Sequence, residues 1–283
     1  MNGTTTTAGT VREALDSAVD ALRAAGVESA RLDAELLLAE ATGWRRERLV
    51  ADPGAAVQPA AARRFGEMVR RRLRREPVAY ILGRRGFRRL ELTVDPRALI
   101  PRPETELLVE IALERRPRTA LDLGTGSGAV ALAVADELPD CDVIGTDTSS
   151  AALDLARENA ERLGLDRRVR FERGTVPEGR RFELVLANLP YVRADEWKRL
   201  QPEIGRYEPR EALVAGPEGI ETIVATAPAI AAALAPEGAL ALEVGAGQAG
   251  AVAELLVDLG FGQVEGRLDL AGIPRVVLAQ DPP

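Results

Sequence analysis

Histidine is absent from the 283 residues, and cysteine occurs once, at Cys141. Those scarcities remove disulfide frameworks, zinc clusters built on Cys and His, and any mechanism that needs an imidazole as acid or base. No metal site is expected. Lysine also occurs once, at Lys198, so nearly all positive charge is arginine; nothing functional follows from that. No uninterrupted apolar run approaches the ~18 residues of a membrane span. The opening MNGTTTTAGT is polar and lacks the apolar core of a secretory signal. A cytoplasmic location without a membrane partner is therefore expected. The balance, 46% hydrophobic and 29% charged with a net charge of −7, is ordinary for a globular chain and argues mildly against a general nucleic-acid binder. Chemistry must then run on carboxylates, amides, hydroxyls or a reactive cofactor.

The chain is organised around TALDLGTGSGAVALAVA, residues 119–135. A short apolar run is followed by Gly124, Gly126 and Gly128 at two-residue spacing, then by apolar residues at helical spacing. Strand, glycine turn and helix in that order make the first βα unit of a nucleotide-binding sheet. The spacing is G-x-G-x-G, which differs from the dinucleotide pattern, and no Gly-Lys-Ser/Thr follows to hold phosphates. The next strand, 142–146, ends on Asp147, about 20 residues past the turn, where a carboxylate meets ribose hydroxyls in such folds. The D-L-G-x-G-x-G turn resembles the S-adenosylmethionine site of Rossmann-like methyltransferases. That resemblance implies Gly124, Thr125, Gly126, Ser127, Gly128 and Asp147 as cofactor-binding residues.

Before this core the sequence is helical. Thr10 and Glu13 fit a capping box, and Val11, Leu15, Ala18, Val19 and Leu22 form an apolar stripe. Further helices are predicted over 29–41 and 60–75, with a loop over 52–59. Arginines crowd the last helix and its sequel: Arg63, Arg64, Arg70, Arg71, Arg72, Arg74, Arg75, Arg84, Arg85, Arg88 and Arg89. They read either as a basic face for an acidic partner or RNA, or as a solvated face paired with nearby acids. No aromatic residues interleave them to stack on bases.

After the core, a helix over 149–163 and strands over 169–171 and 182–187 are predicted. The latter is apolar enough to be buried on both faces. It delivers Asn188-Leu189-Pro190-Tyr191 to the C-terminal edge of the sheet, where open α/β sheets bind ligands. Little periodicity remains over 197–219. A helix over 220–234, a strand over 239–244, a helix over 249–259 and strands over 262–268 and 275–279 complete the reading.

Three stretches then carry a specific resemblance. Glu76-Pro77, Tyr80-Ile81-Leu82-Gly83, Phe87 and the run Leu99-Ile100-Pro101-Arg102-Pro103-Glu104-Thr105-Glu106 resemble the linker signature of the protein-(glutamine-N5) methyltransferases, the HemK/PrmC family. The 207–219 segment resembles that family's E-P-x-x-A-L insert, and Asn188 to Tyr191 its reactive corner. The resemblance implies methyl transfer from S-adenosylmethionine to the glutamine of a Gly-Gly-Gln loop in peptide-chain release factors, by a monomer with no nucleic-acid partner. It implies a helical partner-binding domain over 1–76, a hairpin linker over 77–100, and a Rossmann-like α/β methyltransferase domain over 101–283.

An amide nitrogen is a poor nucleophile because its lone pair is delocalised. With no histidine present, the available remedy is geometric. The Asn188 side-chain oxygen and the carbonyl of Leu189 each accept one N–H of the target, aiming its nitrogen at the methyl group. Tyr191 is placed to stack on the planar group, beside Pro190. Asn188 and Tyr191 are thus the catalytic candidates, and Asn188 also adjoins the cofactor. Two features depart from the family pattern. Leu189 stands where a second proline is usual, and Asn-Leu-Pro-Tyr also occurs in RNA adenine-N6 dimethyltransferases; an adenine-N6 methyltransferase acting on RNA or DNA is the alternative. The loop 173–177 offers Thr175 and Val176 instead of an acid and a bulky residue, with Val176 expected against the adenine.

Overall fold

The computed structural model describes residues 9–283; the polar segment 1–8, on which the reading of the chain's start rests, lies outside the described residues. The chain divides into two compact units, one running to Gly83 and including Pro202–Tyr207, the other comprising the rest.

The first unit is helical: α1 (Val11–Ala24), α2 (Ala30–Thr42), α3 (Arg46–Ala51), α4 (Pro59–Leu73) and α5 (Val78–Leu82). The Thr10 capping box is present, with the Glu13 carboxylate accepting Thr10 N at 2.8 Å and the Thr10 hydroxyl accepting Glu13 N at 3.3 Å. The apolar stripe of α1 packs with Leu37 and Leu38 of α2 and Phe65 of α4, all buried. Each such side chain contributes roughly 1.5–3 kcal/mol by leaving water. The arginines of α4 are largely paired. Arg72 is buried, donating from Nε to Asp33 Oδ2 at 2.7 Å and reaching Glu203 Oε1 at 2.7 Å. Arg75 grips Glu203 through both Nε and Nη2, each at 2.7 Å. Removing one member of such a network leaves a buried charge unmatched, at about 3–5 kcal/mol. These pairs draw Pro202–Tyr207 into the first unit. That unit ends at Gly83 instead of residue 76, because α5 buries Tyr80 and Ile81.

The second unit opens with the hairpin β1 (Arg84–Phe87) and β2 (Leu90–Thr93). It is part of this unit and not a free linker. Phe87 and Leu92 are buried, and Asn159 fastens the hairpin by accepting Thr93 N at 2.7 Å and donating to Thr93 O at 3.0 Å. Then come α6 (Glu106–Arg115), β3 (Thr119–Leu123), α7 (Ala129–Glu137), β4 (Asp142–Asp147), α8 (Ser150–Leu163), β5 (Val169–Arg173), β6 (Phe182–Ala187) and β7 (Val192–Arg193). The chain passes through α9 (Pro202–Tyr207), a piece of the first unit, before β8 (Val214–Gly216), α10 (Glu221–Ala233), β9 (Leu234–Glu243), α11 (Ala249–Asp258), β10 (Gln263–Leu268) and β11 (Pro274–Gln280).

Seven strands form one sheet in the order β10-β11-β9-β6-β3-β4-β5, with β11 antiparallel to both its neighbours. Strands β3, β4, β5, β6 and β9 run parallel. That is the Rossmann-like α/β architecture expected from the sequence. The chain leaves β3 toward β4 and β5, then returns to add β6 on the other side. The C-terminal ends of β3 and β6, where Leu123 pairs with Ala187, therefore flank the switch point at which such sheets hold ligands. Among the described residues no helix is long and apolar enough to cross a membrane.

Candidate active site

At the end of β3 the backbone turns sharply, and Gly124 N and Thr125 N both donate to Thr146 O of β4, at 2.8 and 2.9 Å. Gly124 has φ +76°, and a Cβ there would lie 3.3 Å from Leu189 Cδ2. Glycine is required both by that conformation and by the close approach of the β6 corner. Below the turn, Asp122 Oδ2 accepts the Thr125 hydroxyl at 2.6 Å and Ala131 N at 3.0 Å. Burial raises the Asp122 pKa to about 6, against the pull of those two hydrogen bonds, and the charge of Asp147 adds to the rise. One carboxylate thus pins strand, turn and helix α7 together.

Asp147 ends β4. Its Oδ2 accepts Gly126 N at 3.0 Å and its Oδ1 accepts Ser149 N at 2.9 Å. Each oxygen keeps a further lone pair for a ligand, since an ionised carboxylate has about four acceptor positions. Gly174 N donates to Asp147 O at 2.9 Å, bringing the loop after β5 to the same edge.

The β6 corner supplies Asn188, Leu189 and Pro190. Asn188 Nδ2 donates to Thr105 Oγ1 at 3.0 Å, so its oxygen is left for a ligand. Tyr191 turns away: its hydroxyl donates to Glu243 Oε1 at 3.4 Å, and its ring packs beside Gly245. Burial, then the Glu243 charge, push the Tyr191 phenol up to about 12. Burial likewise raises Glu243 to about 7, with Thr105 and Tyr191 hydroxyls opposing the rise. Glu243 Oε2 is buried without a hydrogen-bond partner.

These pieces open onto one cavity of about 310 Å³, within the range of small-molecule sites. Of the residues expected from sequence, Gly124, Thr125, Gly126, Ser127, Asp147, Asn188, Leu189 and Pro190 line it. Three expected residues lie outside that lining. Gly128 is a packing glycine: a Cβ there would meet Leu132 Cδ1 at 3.0 Å and Phe171 Cζ at 3.2 Å. Val176 packs on the apolar cluster under the sheet, and Gly174 and Thr175 face the cavity in its place. Tyr191 sits behind the wall, for the reasons just given. The sequence reading gave no role to Thr105, Asp122 or the wall from Pro209 to Val214. Their signal lay in the linker run, the D-L-G motif and the E-P-x-x-A-L insert respectively. Glu208, buried, holds that insert by accepting Ile100 N at 3.0 Å and pairing with Arg102.

Residues 13–83 match the family described as PrmC N-terminal domain, ending where the first unit ends, and residues 120–207 match a methyltransferase domain. Among solved structures, a methyltransferase from Pyrococcus furiosus shares the fold at TM-score 0.52 and 20% identity, over 68% of this chain and 89% of that one. The catalytic domain of hMettl16, solved with a MAT2A 3'UTR hairpin, does so at TM-score 0.53 and 15% identity, over 67% and 74%. Whole-length relatives decide the family. The release factor glutamine methyltransferase of Geobacter sulfurreducens is 40% identical over 95% of both chains. That of Moorella thermoacetica is 42% identical over 95% of this chain and 98% of its own, and that of Burkholderia pseudomallei 43% over 92% and 94%. The chain belongs to the release factor glutamine methyltransferase family. Members of this family use S-adenosylmethionine, and the cavity suits it: a turn whose glycine lets a ligand lie against bare backbone, and a fixed carboxylate hydrogen-bonded to that turn at 3.0 Å.

Proposed function

We propose that this chain methylates the N5 side-chain amide of the Gly-Gly-Gln glutamine in peptide-chain release factors. The observation that carries the reading is that the glycine turn with Asp147 and the Asn188–Pro190 corner line the same cavity. When bound, S-adenosylmethionine supplies an electrophilic methyl group. Gly124, Thr125, Gly126 and Ser127 give its carrier a backbone bed, and Asp147 accepts from its ribose hydroxyls. Asn188 through Oδ1 and Leu189 through its carbonyl each accept one N–H of the glutamine amide. Two acceptors on one NH2 group fix the nitrogen and favour lone-pair density on its remaining face, so that orientation stands in for a strong base. The wall from Pro209 to Val214 screens the reacting atoms from water. Tyr191 acts from behind Pro190 through Glu243 and not by stacking on the target.

The helical unit engages the release factor away from the reacting loop, and the enzyme works as a monomer in the cytoplasm during translation termination. Incubation with methyl-labelled cofactor and a purified release factor, followed by peptide mass mapping, tests the reading. Label on the glutamine of the Gly-Gly-Gln peptide is expected. Label appearing only on adenine when RNA is supplied would overturn it.

A further inference from the structure

Gln248 lies between β9 and α11, half-buried, and its side chain makes three hydrogen bonds to backbone groups. Oε1 accepts Gly245 N at 2.8 Å, while Nε2 donates to Tyr191 O at 2.8 Å and to Gly219 O at 3.2 Å. Carbonyl oxygens only accept and a backbone N–H only donates, so a single orientation of the amide satisfies all three. The segments it joins are remote in sequence. Tyr191 closes the β6 corner, Gly219 ends the insert whose earlier part lines the cavity, and Gly245 follows β9. The fit is close. A Cβ at Gly219 would lie 2.7 Å from Gln248 Nε2 and 2.8 Å from Tyr191 O, and one at Gly245 would lie 2.8 Å from Gln248 Oε1. Side chains are excluded at both positions by the amide that bridges them.

The corner is a short span with both ends fixed. Upstream, Ala187 is paired with β3 on one side and β9 on the other. Downstream, Val192 N donates to Leu213 O at 2.8 Å as β7 begins. Tyr191 O comes just before that bond and two residues after the Leu189 carbonyl, and Gln248 is what holds it. We infer that Gln248 is a positioning residue, which clamps the exit of the corner so that the Leu189 carbonyl and the Asn188 amide keep their aim into the cavity. The role rests on the reading of Asn188 and Leu189 given above and deepens it. Gln248 lies outside the cavity lining and acts only through the backbone that it holds.

Gln248→Met keeps the length of the side chain and removes all three bonds. Gln248→Glu keeps the acceptor for Gly245 N, but its carboxylate has no hydrogen for Tyr191 O or Gly219 O. Turnover is counted per S-adenosylhomocysteine site titrated by calorimetry, so that any misfolded fraction drops out. Both variants should lower kcat on a release factor roughly 10- to 100-fold, with KM and the affinity for S-adenosylhomocysteine within about twofold of the parent. In the Asn188→Ala background, Gln248→Met should cost less than about a further threefold, because both changes spoil the same alignment. Parental kcat in Gln248→Glu would overturn the clamp, since its two donated bonds would then be dispensable. So would a loss that multiplies in full with that of Asn188→Ala, or one shared equally by cofactor affinity. No loss in Asn188→Ala alone would instead overturn the reading beneath the inference.

Discussion

The two halves of the cavity are built on the same plan, a buried acid at the end of a strand, yet they are assembled differently. In the donor half, Asp122 takes both its partners from its own βα unit, three and nine residues along the chain. In the acceptor half, Glu243 meets Tyr191 from 52 residues away, and Asn188 leans on Thr105 from 83 residues away. The glycine turn is held by Asp122 from within its own unit and by Thr146 and Asp147 of the neighbouring strand β4. The assembled half depends on the linker run, which supplies Thr105, and on the insert, which Glu208 ties to Ile100 and Arg102. The acids differ in the same sense. Asp122 has two strong hydrogen bonds on one oxygen, while Glu243 keeps an oxygen with none.

The largest effect that would sharpen this contrast is on stability against pH. Burial lifts Glu243 from 4.5 to about 7 in the folded protein. A folded-state pKa above the unfolded one means that the native chain holds the proton more tightly, so its stabilising share is full below about pH 4.5 and is lost as pH rises to 7. At 1.36 kcal/mol per pKa unit, the loss approaches about 3 kcal/mol. Glu243→Gln cannot ionise, so urea unfolding should show it gaining on the parent chain between pH 5 and pH 8. Parallel stability curves across that range would mean that the acid is better solvated than its burial suggests.

The same contrast decides what could be read from sequence alone. Parallel strands buried on both faces appear as apolar runs, so β3, β4 and β6 were legible, as was the glycine turn that follows β3. Short elements were not. Helix α3 buries only Leu49, too little to set a period, and the pairing of β7 with β8 joins segments that are two and three residues long. The placement of Pro202–Tyr207 in the helical unit hangs on Glu203 finding Arg72 and Arg75, a matter of tertiary contact and not of local pattern. Those pairs also settle much of the arginine question in favour of matched charges: Arg64, Arg71, Arg72, Arg75, Arg84, Arg88 and Arg89 all have acidic partners. The Tyr191 ring lies outside the cavity lining for a comparable reason. Its motif fixes where the backbone goes, while Glu243, remote in sequence, decides where the ring points.

A second test bears on the donor half. Asp147→Ala removes a carboxylate that accepts Gly126 N and Ser149 N and, on the proposed reading, two ribose hydroxyls. A hydrogen bond to a charged group is worth about 1.5–3 kcal/mol. Calorimetric titration with S-adenosylhomocysteine should therefore show at least a roughly tenfold weaker Kd in the variant. Because Asn188 leans on Thr105 and not on the glycine turn, the affinity of Asn188→Ala for the same ligand should match the parent. Equal weakening in both would mean that the halves are coupled, and the contrast drawn above would fail.

The smallest expected effect is at Leu189, where the halves touch. Its carbonyl belongs to the acceptor half, while its side chain, 6% exposed, packs in the core beneath the sheet and close over Gly124. Proline at this position stiffens the unfolded chain, a gain of about 0.4–1 kcal/mol where the native backbone permits it. Pro190 already holds residue 189 in the extended region, which favours that outcome. Against it stands the loss of buried apolar surface, about 0.8 kcal/mol for each methylene removed. The two terms oppose each other at similar size, so Leu189→Pro should shift the unfolding free energy by less than about 1 kcal/mol in either direction. Since only the carbonyl is assigned to the target, glutamine methylation should persist at a rate near that of the parent. A Leu189→Pro protein that folds and binds S-adenosylhomocysteine but no longer methylates a release factor would show that the leucine side chain reads the substrate, and the acceptor half would then extend across the glycine turn.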